Sequence, residues 1–268
     1  MAGYLAEKFV DVHAHFFSLK EQDTQAFSDV NWPVILSSHG LKEMQAVADF
    51  NQPNIYRSAG IHPQDPNPHI LKDLEIQLSS GKFCAVGEIG LDLFPDYAPH
   101  FDLQKELFIR QLEIAHEYSL PVILHVRRAM DQIFPLKIHL KKLPAVIFHS
   151  YAGGLNEAYS LLKLGINAYF SFGTPVLWGA KQANLCIREL PLERIFLETD
   201  APWQPVNSEE YTALVKIKTV YEYVAAAGNI EMTDLQNTIF STFQEIFIHG
   251  VSDDLKGEYS KSLQDPPP

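Results

Sequence analysis

Cysteine is scarce in this chain: only Cys84 and Cys186 stand among 268 residues. Both lie in apolar or helical surroundings, which argues against a disulfide scaffold and for reduced core thiols. Basic residues are also few, with 21 Lys and Arg against 33 Asp and Glu, a formal net charge of −12. Broad, sequence-blind coating of nucleic acid is therefore disfavoured, because it relies on basic side chains displacing counterions. A local phosphate site stays open, since bound divalent cations would be its largest charges. No apolar run approaches the roughly 18 residues of a membrane helix. The opening MAGYLAEKFVDV has neither the basic nor the apolar stretch of a secretory signal. The expectation is a soluble, cytoplasmic protein with no membrane partner. Glycine-rich phosphate loops, zinc-finger spacing and a GxSxG nucleophile elbow are missing too.

What the chain does have is apolar residues, 46% of the total, enough for a large core. They gather in eight short runs that read as strands: 8–13, 33–37, 55–61, 83–89, 121–126, 145–149, 167–172 and 195–199. Several are continuous rather than alternating, as parallel strands covered on both faces should be. Helical patterns separate most of them, at 41–50, 69–79, 101–118, 129–142, 155–164 and 180–189, with 208–227 and 233–248 after the last. The clearest is 101–118, where Leu103, Leu107 and Ile114 form a stripe opposite Gln104, Lys105, Glu106 and Arg110. Gly165 and Gly228 read as helix terminators. Strand and helix alternating eight times predicts an α/β fold, a single (β/α)8 TIM-type barrel over residues 1–250. An open doubly wound sheet is the alternative. The polar strand-end residues favour the barrel, because only closure brings the first and last strands together. The tail 251–268 is polar, ends in three prolines and is expected to be disordered.

Six metal-capable side chains fall at the ends of these runs: His13 and His15 in FVDVHAHF, Glu88 in FCAVGEIGLD, His125 in PVILHVR, His149 in AVIFHSY and Asp200 in IFLETDAP. Residues two apart on a strand point the same way, so His13 and His15 can share one ion, with Asp11 deeper on the same face as support. The HxH pair alone could be chance, and a lone strand-end histidine is often a satisfied core residue. Four partners at equivalent strand ends shift the balance to a metal site. Glu88, between Gly87 and Gly90, is placed to bridge two cations; the rival reading pairs it with Arg127. Asp200 suits both a ligand and a general base that takes a proton from water, and Glu198 shares its parity. His62 in AGIHP is placed to hydrogen-bond an anionic oxygen, and Arg127 to grip a phosphate through its planar fork. Asp92 reads as an auxiliary ligand or a loop clamp. The remaining histidines, His39, His69, His100, His116, His139 and His249, show no shared pattern and read as surface or packing residues. Phe94, Tyr97, Tyr151, Trp178 and Trp203, in strand-end loops, either stack on a base or line a pocket.

The string DVHAH, AGIHP, VGEIGLD, ILHVR, FHS and LETDAP, in this order and spacing, resembles the TatD-type metal-dependent deoxyribonucleases of the amidohydrolase superfamily. The resemblance runs from about Phe9 to Phe247. It implies a TIM-type barrel with two divalent metal ions (Zn, Mn, Mg, Fe or Ni). It implies ligand roles for His13, His15, Glu88, His125, His149 and Asp200, with Glu88 bridging and His62 and Arg127 at the substrate. The chain departs from the family where WQPVNSEEY follows ETDAP without the usual basic loop. The function expected is a metal-dependent phosphodiesterase acting on DNA, from an end or a single-stranded stretch. The alternatives are hydrolysis of a small amide, lactone or phosphate ester, and a non-catalytic metal-binding role.

Overall fold

Valine, isoleucine, phenylalanine and alanine dominate the runs that become strands, and their side chains face apolar neighbours on both sides. In the computed structural model, which describes residues 8–22, 26–28, 30–206 and 209–249, they form eight strands. These are β1 (Asp11–His15), β2 (Val34–His39), β3 (Ile55–Gly60), β4 (Ala85–Asp92), β5 (Val122–Arg127), β6 (Val146–Phe148), β7 (Ala168–Phe172) and β8 (Ile195–Leu197). All neighbours pair in parallel and in sequence order. The expected barrel is observed, and the open doubly wound order is not.

The ring closes just beyond β8. The Asp200 amide donates to His13 O at 3.0 Å, and the His15 amide donates to Ala201 O at 2.7 Å. Asp11, fully buried, locks the seam with its carboxylate: it accepts from Thr199 N at 3.0 Å, Thr199 Oγ1 at 2.6 Å and His13 N at 3.3 Å. Asp11 was expected to support His13 and His15, and its bond to His13 is made at the backbone amide. Burial pushes its carboxyl up to about 8, against the pull of the Thr199 and His13 donors.

Ten α-helices can be delimited among the described residues: α1 (Phe16–Gln22), α2 (Leu41–Asp49), α3 (Leu71–Ser79), α4 (Phe101–Glu117), α5 (Met130–Ile133), α6 (Lys137–Leu140), α7 (Leu155–Lys163), α8 (Lys181–Glu189), α9 (Lys216–Gly228) and α10 (Met232–Phe243). The continuous helix expected over 129–142 is broken, because Pro135 has no amide proton and sits in a 3₁₀ turn between α5 and α6. The helix expected from 208 starts only at Lys216, and the one expected to 248 ends as a π-helical turn, Gln244–His249. Gly165 ends α7 with φ +79°, as expected, whereas Gly228 is still helical and Asn229 takes the left-handed position. Gln104, expected on the outer face of α4, is buried and bonds both Asp92 N (2.8 Å) and Asp92 O (3.1 Å). Gly90 has φ +146°, and a Cβ there would lie 2.0 Å from His125 O, so only glycine lets β4 pass this close to β5. The tail 251–268 lies outside the described residues.

The seam makes a measurable prediction. Asp11→Ala leaves three buried donors unpaired and should lower the free energy of unfolding by about 3 kcal/mol. Asp11→Asn, which keeps an acceptor at each amide donor, should lose much less. Urea titrations of the two variants compare these losses, and equal losses would refute the assigned role.

Candidate metal centre

Parity along each strand decides which side chains enter the barrel mouth. Asp11, His13 and His15 share a face of β1, and Glu88, His125, His149 and Asp200 reach the same mouth from β4 and from the ends of β5, β6 and β8. The Glu88 carboxylate, 1% exposed, is the hub. Its Oε2 lies 3.2 Å from His13 Nε2 and 3.9 Å from His15 Nε2. Its Oε1 lies 2.6 Å from His125 Nδ1, 3.2 Å from His149 Nε2 and 3.3 Å from His62 Nε2. Asp200 Oδ1 closes the first group at 3.0 Å from His15 Nε2 and 3.5 Å from His13 Nε2. Asp200 and His15, 185 residues apart, thus meet across the closed ring, and Arg127 does not pair with Glu88.

Four sets of donor atoms each lie within 4.8 Å of one another among the described residues: His13, His15 and Asp200; His13, Glu88 and His149; His15, His39 and Glu88; and His62, Glu88 and His125. Ligands about 2.1 Å from one ion stand about 3.4 Å apart at tetrahedral angles. The observed separations match that spacing. Hydrogen bonding alone does not account for them, since Glu88 Oε2 is buried with no hydrogen-bond partner. A cation satisfies that oxygen and the facing imidazole lone pairs together. The donor set therefore fits divalent metal.

Comparison with known proteins agrees with this geometry. The family profile described as TatD related DNase matches residues 10–248. The chain belongs to the TatD-related DNase family. A metal-dependent hydrolase of Escherichia coli K12, YjjV, is 36% identical over 217 residues, covering 75% of this chain and 82% of its own. A protein of Pantoea sp. named 3'-5' ssDNA/RNA exonuclease TatD is 32% identical over 180 residues, 63% of this chain and 67% of its own. The crystal structure of Escherichia coli YjjV superposes with a TM-score of 0.79 at 27% identity, over 90% of this chain and 98% of that one. This TatD-family chain is a metal-dependent hydrolase.

Around the TatD-family donors stands a ring of supporting contacts. Ser37 Oγ meets His13 Nδ1 at 2.9 Å and Ser58 Oγ at 3.0 Å. Glu198 Oε1 accepts from Ser150 N at 2.7 Å and faces His149 Nδ1 at 3.0 Å. Asp92 is bonded through both carboxylate oxygens. Its Oδ2 meets His125 Nε2 at 3.0 Å and accepts from Gln64 Nε2 at 2.8 Å, while Oδ1 accepts from Phe94 N at 2.9 Å. Such contacts fix each ring's orientation and tautomer. Arg127 donates to Ser150 O at 2.8 Å and has no carboxylate partner among the described residues. The Gln64 amide donates to His62 Nδ1 at 3.2 Å, which leaves the proton of a neutral His62 on Nε2.

His39 is a correction: it is neither a surface nor a packing residue. Its Nε2 lies 3.4 Å from Glu88 Oε2, and its ring meets those of His15 and His62 at centroid distances of 5.0 and 4.6 Å. Strand β2 runs two residues past the apolar stretch, so His39 shares the inward parity of Ser37. Extending the expected strand, which stopped at Ser37, by two residues would have found it.

Electrostatics sort these groups. Burial pulls His15 down to about 4 and His62 down to about 3, against the pull of Asp200 on His15 and of Glu88 on His62. Burial raises Asp200, but His149, His15 and His13 outweigh it and hold the carboxyl at about 2. Burial likewise opposes ionised Glu88, yet His149, His62, His13 and His125 keep it well below the usual carboxylate range. Burial lowers His149, but Glu198, Glu88 and Asp200 raise it well above the ordinary imidazole value.

His15 and His62 should therefore stay neutral in the metal-free protein from pH 8 down to about 5. Their folded pKa values lie below the unfolded value of about 6.5, so the stability linked to them is present above that pH. It is lost as pH falls through 6 toward 4, where the unfolded chain binds protons first. Imidazole resonances followed by NMR would test this, and midpoints near 6.5 would overturn it.

Proposed function

We propose that the chain hydrolyses phosphodiester bonds in single-stranded nucleic acid, DNA above all, with two divalent cations drawn from Zn, Mn, Mg, Fe or Ni. The observation that carries the reading is the Glu88 carboxylate, facing imidazoles through both oxygens while Oε2 lacks a hydrogen-bond partner. His13, His15, Asp200 and Glu88 would hold one cation, and Glu88, His125 and His149 the other. Such ions lower the pKa of a water and offset charge on phosphate oxygens.

The protein's own groups do the rest. Asp200, ionised at neutral pH, accepts the proton of the attacking water on its carboxylate. Neutral His62 offers its Nε2 proton to a phosphate oxygen near Glu88 Oε1. Arg127, anchored on Ser150 O, presents the rest of its guanidinium to the phosphate. The relative named 3'-5' ssDNA/RNA exonuclease supports nucleic acid over a small ester. In this reading residues 1–250 form one catalytic domain. Two buried cysteines without a disulfide suit a cytoplasmic setting.

Purified protein reconstituted with each cation should cleave single-stranded DNA in a chelator-sensitive manner, with a higher kcat/KM than small esters, lactones or amides. No phosphodiester cleavage with any cation, beside turnover of a small ester or amide, would refute it. Asp200→Asn should lower kcat about a thousandfold while mass spectrometry still finds most of the metal. Near-normal kcat would remove Asp200 from the base role. Arg127→Ala should raise KM for anionic substrates about tenfold more than for neutral ones; equal effects on both would exclude phosphate contact.

A further inference from the structure

Next to Gln204, the ends of β5, β6 and β7 enclose a groove of about 460 Å³. Phe94, Arg127, Phe172, Val176, Lys181 and Gln204 are among its walls. Its volume lies in the usual range of small-ligand sites, roughly 300–1,000 Å³. The groove joins the metal centre through one side chain. Gln204 Nε2 donates to Asp200 Oδ2 at 2.6 Å and to Ser150 Oγ at 3.1 Å. The Thr174 hydroxyl pins the Gln204 carbonyl at 2.7 Å. Gln204 Oε1 is buried and has no hydrogen-bond partner. Nearby, Phe94 is 39% exposed, although the Arg128 guanidinium lies 4.2 Å from its ring centroid.

We propose that this groove seats the nucleobase of the nucleotide adjoining the scissile phosphate, with Phe94 as the stacking platform and Gln204 Oε1 as the acceptor that meets the base. The inference rests on the phosphodiesterase reading and names where its substrate lies. Three features select a nucleobase. The walls are mostly apolar and include an exposed aromatic ring, which suits a planar heterocycle and leaves a bare sugar without stacking contacts. The orphaned carbonyl oxygen requires an N–H donor, and each common base carries one on its pairing edge. Arg127 and Lys181 supply cations at the groove wall of an acidic chain, where the phosphate backbone of the same nucleotide needs them. Gln204 then acts as a positioning residue as well. A base bound at Oε1 fixes the carboxamide whose Nε2 holds Asp200 Oδ2, so seating the base also orients the group that takes the proton.

The test compares the thymidine dinucleotide d(TpT) with phosphodiesters of the same length that carry an abasic residue on one side or the other. Wild-type protein should show a KM for d(TpT) about tenfold below that of one abasic partner. Phe94→Ala should shrink that ratio toward one. Gln204→Leu should shrink it too and lower kcat, because the support of Asp200 is lost with the acceptor. Equal KM values for d(TpT) and both abasic compounds, or a ratio untouched by Phe94→Ala, would overturn the seat. If no phosphodiester is cleaved, the functional reading fails separately. Calorimetric binding of the same compounds to wild-type protein then decides the seat: about tenfold tighter binding of d(TpT) supports it, and equal or undetectable binding overturns it.

Discussion

One buried carboxylate organises this molecule's mouth. Glu88 has six imidazoles within 3.9 Å, those of His13, His15, His39, His62, His125 and His149. An isolated carboxylate in so dry a place would be expensive to ionise. The surrounding rings hold it charged, and its charge in turn gathers the rings. The protein thus gathers the imidazoles around one shared carboxylate, with the ionised Asp200 beside His15.

That hub works only if the barrel is closed, and closure and chemistry use the same residues. The backbone of Asp200 bonds to His13, and that of His15 to Ala201, across the seam. A change in the seam therefore moves the metal-capable side chains of His13, His15 and Asp200. Asp11, which touches none of the imidazole rings, matters to the site through Thr199 and the His13 amide. Glycine at position 90 has a similar standing: it chooses how near β4 lies to β5, and with that how near Glu88 lies to His125.

The six strand-end donors, their partners Asp92 and Glu198, and the barrel itself were legible because the relevant rules are local. A run of apolar residues marks a strand, its end marks the mouth, and parity marks the inward face. Where locality failed, a specific residue was responsible. Pro135 broke a helix whose hydrophobic pattern continued. Gln104 turned inward because Asp92, twelve residues away, offered both an amide and a carbonyl. The serine pair ended the expected strand at Ser37, two residues short of His39. Gln204 follows a cis Ala201–Pro202 bond in a left-handed backbone position, φ +58°, which no periodicity foretells.

The amino-acid order by itself determined which donors exist and on which strand each sits, because strand register carries side-chain direction with a period of two. Only the tertiary structure decided how they face one another. Which nitrogen of His125 turns to Glu88, which oxygen of Asp200 is left to Gln204, and whether a seventh strand-end group joins the mouth all depend on contacts across the barrel. Those contacts link residues far apart in the chain, and their energies exist only once the ring has closed.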